Sequence, residues 1–169
     1  LGPPEMHEAC GAIDVLVADE QEAIDCVRRY LEYFRGADGE PGSDPDISVL
    51  RTVVPENPRR AYDVLRVIEG IADKDSVLEL RPKFARSVVT ALAKVQGTPV
   101  GVLANQPMFL AGAIDSPASD KLARFIQLCD AHDIPMLYLC DTPGLMVGPE
   151  VEATALVRHS SRILNAAIN

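Results

Sequence analysis

The chain has 169 residues, 47% of them hydrophobic, which suits one ordinary globular domain or pieces of two and excludes a chain disordered throughout. Sixteen basic against twenty-five acidic residues leave a net charge of −9, so nucleic acid and membrane are not expected partners and an anionic ligand needs a local pocket. Cys10, Cys26, Cys129 and Cys140 show no zinc or redox spacing, no apolar run approaches a membrane span, and no signal-peptide pattern is present; a soluble, intracellular protein with four reduced, buried thiols is expected.

In chain order, Leu1-Gly2-Pro3-Pro4 opens without an initiator methionine, and "SSRILNAAIN" closes within a helical pattern that lacks a stop signal, so a piece of a longer protein is expected. Residues 13–17 form a short apolar run suited to a buried strand. Asp19 with Glu22 then starts a helix in the manner of a capping box, with Ala23, Val27, Tyr30, Leu31 and Phe34 on one face and Gly36 as the stop. One strand and one helix cannot bury a core alone, so residues 1–35 read as the end of a domain whose body lies upstream. Residues 36–46, "GADGEPGSDPD", have the composition of an exposed connection, and the linker is placed over 36–56.

From residue 57 a second unit begins. Asn57-Pro58 is a helix start, carrying Ala61, Leu65, Ile68 and Ala72 on one face. Extended segments follow at 77–80, 87–95 and 100–104, the last two joined by the turn residues Gln96-Gly97-Thr98-Pro99, which predicts an antiparallel hairpin. Ser116-Pro117 opens a helix whose Leu122, Phe125, Ile126 and Cys129 make a core stripe, and 135–140 is an apolar strand. Strand, helix and strand imply a right-handed crossover with parallel strands, and ligands gather at the carboxyl ends of such strands. Asn105-Gln106-Pro107 and Asp141-Thr142-Pro143-Gly144 both fall there.

Asp-Thr-Pro-Gly after an apolar run also resembles the magnesium- and phosphate-sensing loop of a GTPase. That reading needs a G-x-x-x-x-G-K-[ST] phosphate loop and an N-K-x-D base-reading motif, and the chain has neither. The likeness is confined to four residues.

The order of segments resembles, across nearly the whole chain, the carboxyltransferase (beta) subunit of biotin-dependent acyl-CoA carboxylases of the acetyl- and propionyl-CoA carboxylase type. The resemblance rests on "VPENPRRAYDVLRVIEGIADKDSVLEL", "SVVTALAKVQGTPVGVLANQPMFLAGAIDSPASDKLARFIQLCDAHDIPMLYLCDTPG" and "VRHSSRIL". It implies a partial crotonase-like (ClpP/crotonase) α/β fold. Residues 1–35 would close the first carboxyltransferase domain, and 57–169 would be the first part of the second, truncated.

The resemblance also implies the chemistry. Carboxyl passes from carboxybiotin, carried on a carrier domain, to the α-carbon of a short-chain acyl-CoA through an enolate, with a biotin nitrogen rather than a side chain as base. Backbone N–H pairs hold the developing oxyanions. Those motifs lie outside this chain, so no catalytic residue is assigned, no metal is expected, and the isolated piece should be inactive. Cofactor contact falls on Asn105, Gln106, Pro107, Gly112, Ala113 and Ile114 after one strand, and on Gly144, Leu145, Met146 and Gly148 after the next. Lys121 and Arg124, taken as exposed helix cations, would steer a phosphate of CoA.

Asp115, Asp120 and Asp141 are assigned to caps and turns rather than to metal, and His159 to a helix surface or packing role. The family's usual Pro-Gly-Phe-Leu-Pro-Gly is Pro143-Gly144-Leu145-Met146-Val147-Gly148 here, which leaves acyl preference open. Implied partners are a biotin carboxylase or biotin carrier subunit and further copies of the chain, in dimers or rings, in the cytoplasm or, in a eukaryote, the mitochondrial matrix. The alternatives are a decarboxylase or transcarboxylase of the same family, and a non-catalytic scaffold relative, which bulky or proline residues in the missing glycine-rich motifs would mark. The apolar faces of the first helix and of Leu156, Ser160, Ile163, Leu164 and Ala167 are expected to be partly exposed.

Overall fold

The computed structural model describes residues 2–35, 42–57 and 60–168. Gly36, Pro58 and residues 37–41 of the expected linker lie outside them. The helices are α1 (Pro4–Ala9), α2 (Glu20–Glu32), α3 (Val64–Ile71), α4 (Ser116–Asp130), α5 (Pro149–Glu152) and α6 (Leu156–Ile168); the strands are β1 (Leu78–Leu80), β2 (Val88–Val95), β3 (Thr98–Asn105) and β4 (Met136–Leu139).

The strands form one sheet in the order β1-β2-β3-β4. β1, β2 and β3 run antiparallel, and β4 lies parallel to β3 with Gly101 opposite Met136 and Ala104 opposite Leu139. The hairpin turn between β2 and β3 is Gln96-Gly97, both at positive φ (51° and 78°), which is the geometry that matches strand twist. Asp73 fixes that turn by accepting from Gln96 N and Gly97 N at 2.8 and 2.7 Å.

Period-2 alternation divides β2 between two cores. Val88 and Leu92 face α4, with Leu103, Phe125, Ile126 and Cys129, while Val89, Ala91 and Ala93 face α3, with Val64, Ile68 and Ala72. Helix α4 approaches β3 closely at Gly101, where an added Cβ would stand 2.4 Å from Cys129 Sγ. Asp115 caps α4 by accepting from Ala118 N at 2.9 Å, as expected.

Four local expectations are corrected. Residues 13–17 are not a strand: a strand exists through its ladder, and this segment offers the sheet a single bond, Arg81 N to Asp14 O at 2.7 Å. The helix expected from Asn57 begins at Val64, because Asp63 supplies the cap (Leu65 N to Asp63 Oδ1, 3.1 Å) and Arg60 and Ala61 are not helical. Of the cysteines, only Cys129 is buried; Cys26 is half-buried, and Cys10 and Cys140 are exposed. Leu156 is buried rather than exposed, because α6 packs on α4, whereas Leu164 on α6 and Val27 and Leu31 on α2 are exposed as expected; Ala23, Tyr30 and Phe34 are half-buried. The Asp19 cap itself forms, with Glu22 N to Asp19 Oδ1 at 2.9 Å and Ala18 N to Glu22 Oε2 at 2.8 Å.

Candidate functional site

β3 and β4 end side by side, and their outgoing loops are stitched together. Ile114 N donates to Gly144 O (3.0 Å) and Met146 N to Ile114 O (2.9 Å), so Ile114 and Leu145 form a parallel bridge outside the sheet. The first loop is drawn back by Asn105, whose buried amide donates to Gly112 O at 2.9 Å. Gly112 has φ +75°, and a Cβ there would stand 2.6 Å from the backbone oxygen of Asp141; only glycine lets the loops approach this far. Leu110 and Ala111 also have positive φ (48° and 51°), a conformation costing about 1–2 kcal/mol per non-glycine residue and concentrated at functional sites. Gly144 and Gly148 have φ +110° and +128° with open space where a Cβ would be, so dihedral and not crowding calls for glycine.

The two stitched loops carry the residues expected to touch the cofactor, Asn105, Gln106, Pro107, Gly112, Ala113 and Ile114 on one and Gly144, Leu145, Met146 and Gly148 on the other, but the Gln106 side chain is turned away from them. Their surface has no charged side chain over 105–114 or 142–148. Met108, Leu110, Leu145 and Val147 are exposed there, Val147 at 85%. Beneath lies an apolar cavity of about 170 Å³ bounded by Asn105, Ile114, Tyr138, Cys140 and Thr142. That is smaller than the roughly 300–1,000 Å³ of small-molecule sites, so this cavity alone does not enclose a ligand of that kind.

Gln106 faces the other way. Its amide donates to Asp63 Oδ1 (2.7 Å) and accepts from Val64 N (3.3 Å), so it helps cap α3. Arg86 lies over the Phe109 ring, 3.7 Å from its centroid, and braces the same loop.

Lys121 and Arg124 are not brought to these loops; both line a separate cavity of about 550 Å³ beneath α2. Lys121 is not an exposed cation. It is 1% exposed and donates to the carbonyls of Arg81 (2.9 Å), Phe84 (2.9 Å) and Val88 (2.8 Å), which uses all three ammonium protons. Burial pushes its pKa down to about 8; Glu79 opposes that and Arg81 adds to it. It is a fixed internal staple, whereas Arg124 remains exposed.

Asp120, His159 and Asp141 are internally partnered. Asp120 accepts from Arg162 (2.5 Å) and pairs with His159 Nδ1 (2.8 Å), tying α4 to α6. Burial would raise its pKa, but the His159 and Arg162 hydrogen bonds outweigh that and hold it below the ordinary value. Asp141 accepts from Tyr62 OH at 2.7 Å, a contact spanning 79 positions that no local sequence signal announces. Among the described residues, no three His, Cys, Asp or Glu side chains converge as a metal group.

The likeness to solved structures places the chain among crotonase-like carboxyltransferase folds. In solved structures it matches a single-chain, multi-domain long-chain acyl-CoA carboxylase with a TM-score of 0.94 and 44% identity, over 98% of this chain and 16% of that one. It matches the transcarboxylase 12S hexamer, solved with methylmalonyl-CoA and methylmalonic acid, with a TM-score of 0.89 and 34% identity, over 98% of this chain and 33% of that one. Among curated proteins it is 34% identical to the methylmalonyl-CoA decarboxylase subunit alpha of Propionigenium modestum over 98% of this chain. The chain spans about a third (34%) of that relative's length. The model of the carboxyl transferase domain matches residues 1–169, and the chain belongs to that family.

Proposed function

We propose that this chain forms one wall of the active site of a biotin-dependent acyl-CoA carboxyltransferase. In that reading, residues 1–35 close a first domain, 36–56 link, and 57–169 begin the second. The observation that carries it is the Ile114–Leu145 bridge, which fuses two uncharged, glycine-bearing loops into one apolar ledge at the ends of parallel strands. A neutral bicyclic urea such as biotin suits a ledge of apolar side chains and close backbone better than a charged cleft would. When bound, carboxybiotin supplies the carboxyl group and the basic nitrogen.

The chain's own residues position and exclude water. Gly112 brings the loops together, Asn105 holds the first of them, and exposed Leu145 and Val147 present apolar surface to the ligand. The acceptor is a short-chain acyl-CoA such as acetyl- or propionyl-CoA, deprotonated at its α-carbon, with backbone N–H groups elsewhere in the longer protein holding the enolate oxygen. A biotin carboxylase or carrier subunit delivers the cofactor, and self-association completes the site, in the cytoplasm or, in a eukaryote, the mitochondrial matrix. No described helix is long and apolar enough to cross a membrane.

A longer acyl chain is the second reading, favoured by the 44% identity to a long-chain enzyme and by Leu145-Met146-Val147 in place of an aromatic. The test is Leu145→Asp in the full-length parent, assayed for carboxyl transfer with free biotin. A raised KM for biotin with an unchanged KM for acyl-CoA is expected; unaltered kinetics would remove the ledge from the biotin site.

A further inference from the structure

The segment just before α3 reaches both strand-end loops. Tyr62 OH donates to Asp141 Oδ2 (2.7 Å) at the start of the β4 loop. Its neighbour Asp63 accepts from Gln106 Nε2 (2.7 Å) at the start of the β3 loop, and Val64 N donates back to Gln106 Oε1 (3.3 Å). Three consecutive residues thus tie Asp141, the second residue past β4, and Gln106, the first residue past β3, to one helix end. The loops touch each other at Ile114–Leu145 and at Gly112, where Asp141 contributes the backbone oxygen that a side chain would strike.

We propose that Tyr62 is a positioning residue: through Asp141 it sets the separation and register of the two loops and so the width of the ledge they form. This rests on the functional reading above. Tyr62 acts through Asp141, which leads into the loop bearing Gly144 to Gly148, while the adjacent Asp63 anchors the other loop through Gln106. Removing the hydroxyl takes away one tether of the β4 loop and leaves the Ile114 stitch and the Asp63–Gln106 tether in place, so the ledge loosens without the sheet coming apart. Burial, then the bond to Asp141, pushes the phenol up to about 12, and it stays a donor throughout the working pH range.

The test uses the full-length parent and the variants Tyr62→Phe, Asp141→Ala, Asp141→Asn and the double Tyr62→Phe/Asp141→Ala. Hydrogen exchange without any ligand reads the clip itself. Faster exchange at 142–148 in Tyr62→Phe, with β2 and β3 unchanged, is expected; equal rates overturn the proposal. Carboxyl transfer with free biotin and propionyl-CoA reads the consequence. KM for biotin should rise roughly fivefold in Tyr62→Phe with kcat nearly constant, the scale of one exposed hydrogen bond to a charged partner. Asp141→Ala and the double variant should match it, and Asp141→Asn, which keeps an acceptor oxygen, should stay close to the parent. Additive losses in the double variant, or loosened loops with unchanged KM, contradict a positioning role. A parent that turns over no acyl-CoA tells against the functional reading alone, and exchange rates then judge the clip.

Discussion

The Lys121 ammonium lies 2.8 Å from the carbonyl oxygen of Val88, the first residue of β2, so a helix lysine pins the edge of the sheet's central hairpin from within. Two further carbonyls, of Arg81 and Phe84, complete its shell and fold the 81–88 loop around it. Lys121→Met keeps the side chain's length but strands one buried and two half-buried acceptors, and a loss of stability on the order of 3 kcal/mol is expected. A lowered urea midpoint at unchanged slope would show it.

The same lysine gives stability a pH dependence of known sign. Its folded pKa, about 8, lies below the unfolded 10.5. Between those values the unfolded chain holds the proton and the folded chain does not, so this group's contribution to stability rises with pH across that window. The stability difference between the natural chain and Lys121→Met should therefore shift in favour of lysine from pH 8 to 10. A flat difference would show that the ammonium stays charged inside.

Gly112 and Gly144 separate crowding from dihedral strain. Gly112→Ala meets a backbone oxygen at 2.6 Å as well as an unfavourable φ, whereas Gly144→Ala meets only the φ. Gly144→Ala should cost about 1–2 kcal/mol and Gly112→Ala clearly more, with the loops forced apart. Thermal melts of the two variants side by side give the order.

Asp120 gives stability the same sign of pH dependence as Lys121, but in an acidic window. Its pKa is held below 3.8 by His159 and Arg162 against the effect of burial. The stabilisation it gives the α4–α6 contact is present above pH 3.8 and lost as pH falls through the lowered value. Asp120→Asn should reduce the melting temperature at pH 6, with the gap closing towards pH 2.

Gly101 is a packing site that a second substitution should relieve. A Cβ there would strike Cys129 Sγ at 2.4 Å. Gly101→Ala should cost about 1–3 kcal/mol, and adding Cys129→Ala should recover part of it, a coupling visible in a double-mutant cycle.

Much of the sheet could be read in advance because its signals are local. The extended run over 87–95, the Gln96-Gly97 turn and the Ser116-Pro117 helix start each act over a few residues. Residues 13–17 misled because an apolar run becomes a strand only if a neighbour is there to pair with it. Asn57-Pro58 resembled a cap, yet Asp63, six positions on, captured the helix. The glycines of the candidate site were picked out by the family resemblance, and their positive φ became visible only in the fold. Lys121 was not legible, because surface and core lysines look alike until three carbonyls converge on one of them, and neither was Tyr62–Asp141, whose partners are joined only by the fold.

The most direct test is transfer itself. Full-length parent is incubated with carboxybiotin, free or on its carrier domain, and with acetyl-, propionyl- and longer acyl-CoA in parallel, and the CoA products are weighed by mass spectrometry. Carboxylated acetyl- or propionyl-CoA is the predicted product. No carboxylated product from a folded, oligomeric parent, beside a carboxylase that works under the same conditions, would contradict the account and leave the fold serving assembly instead.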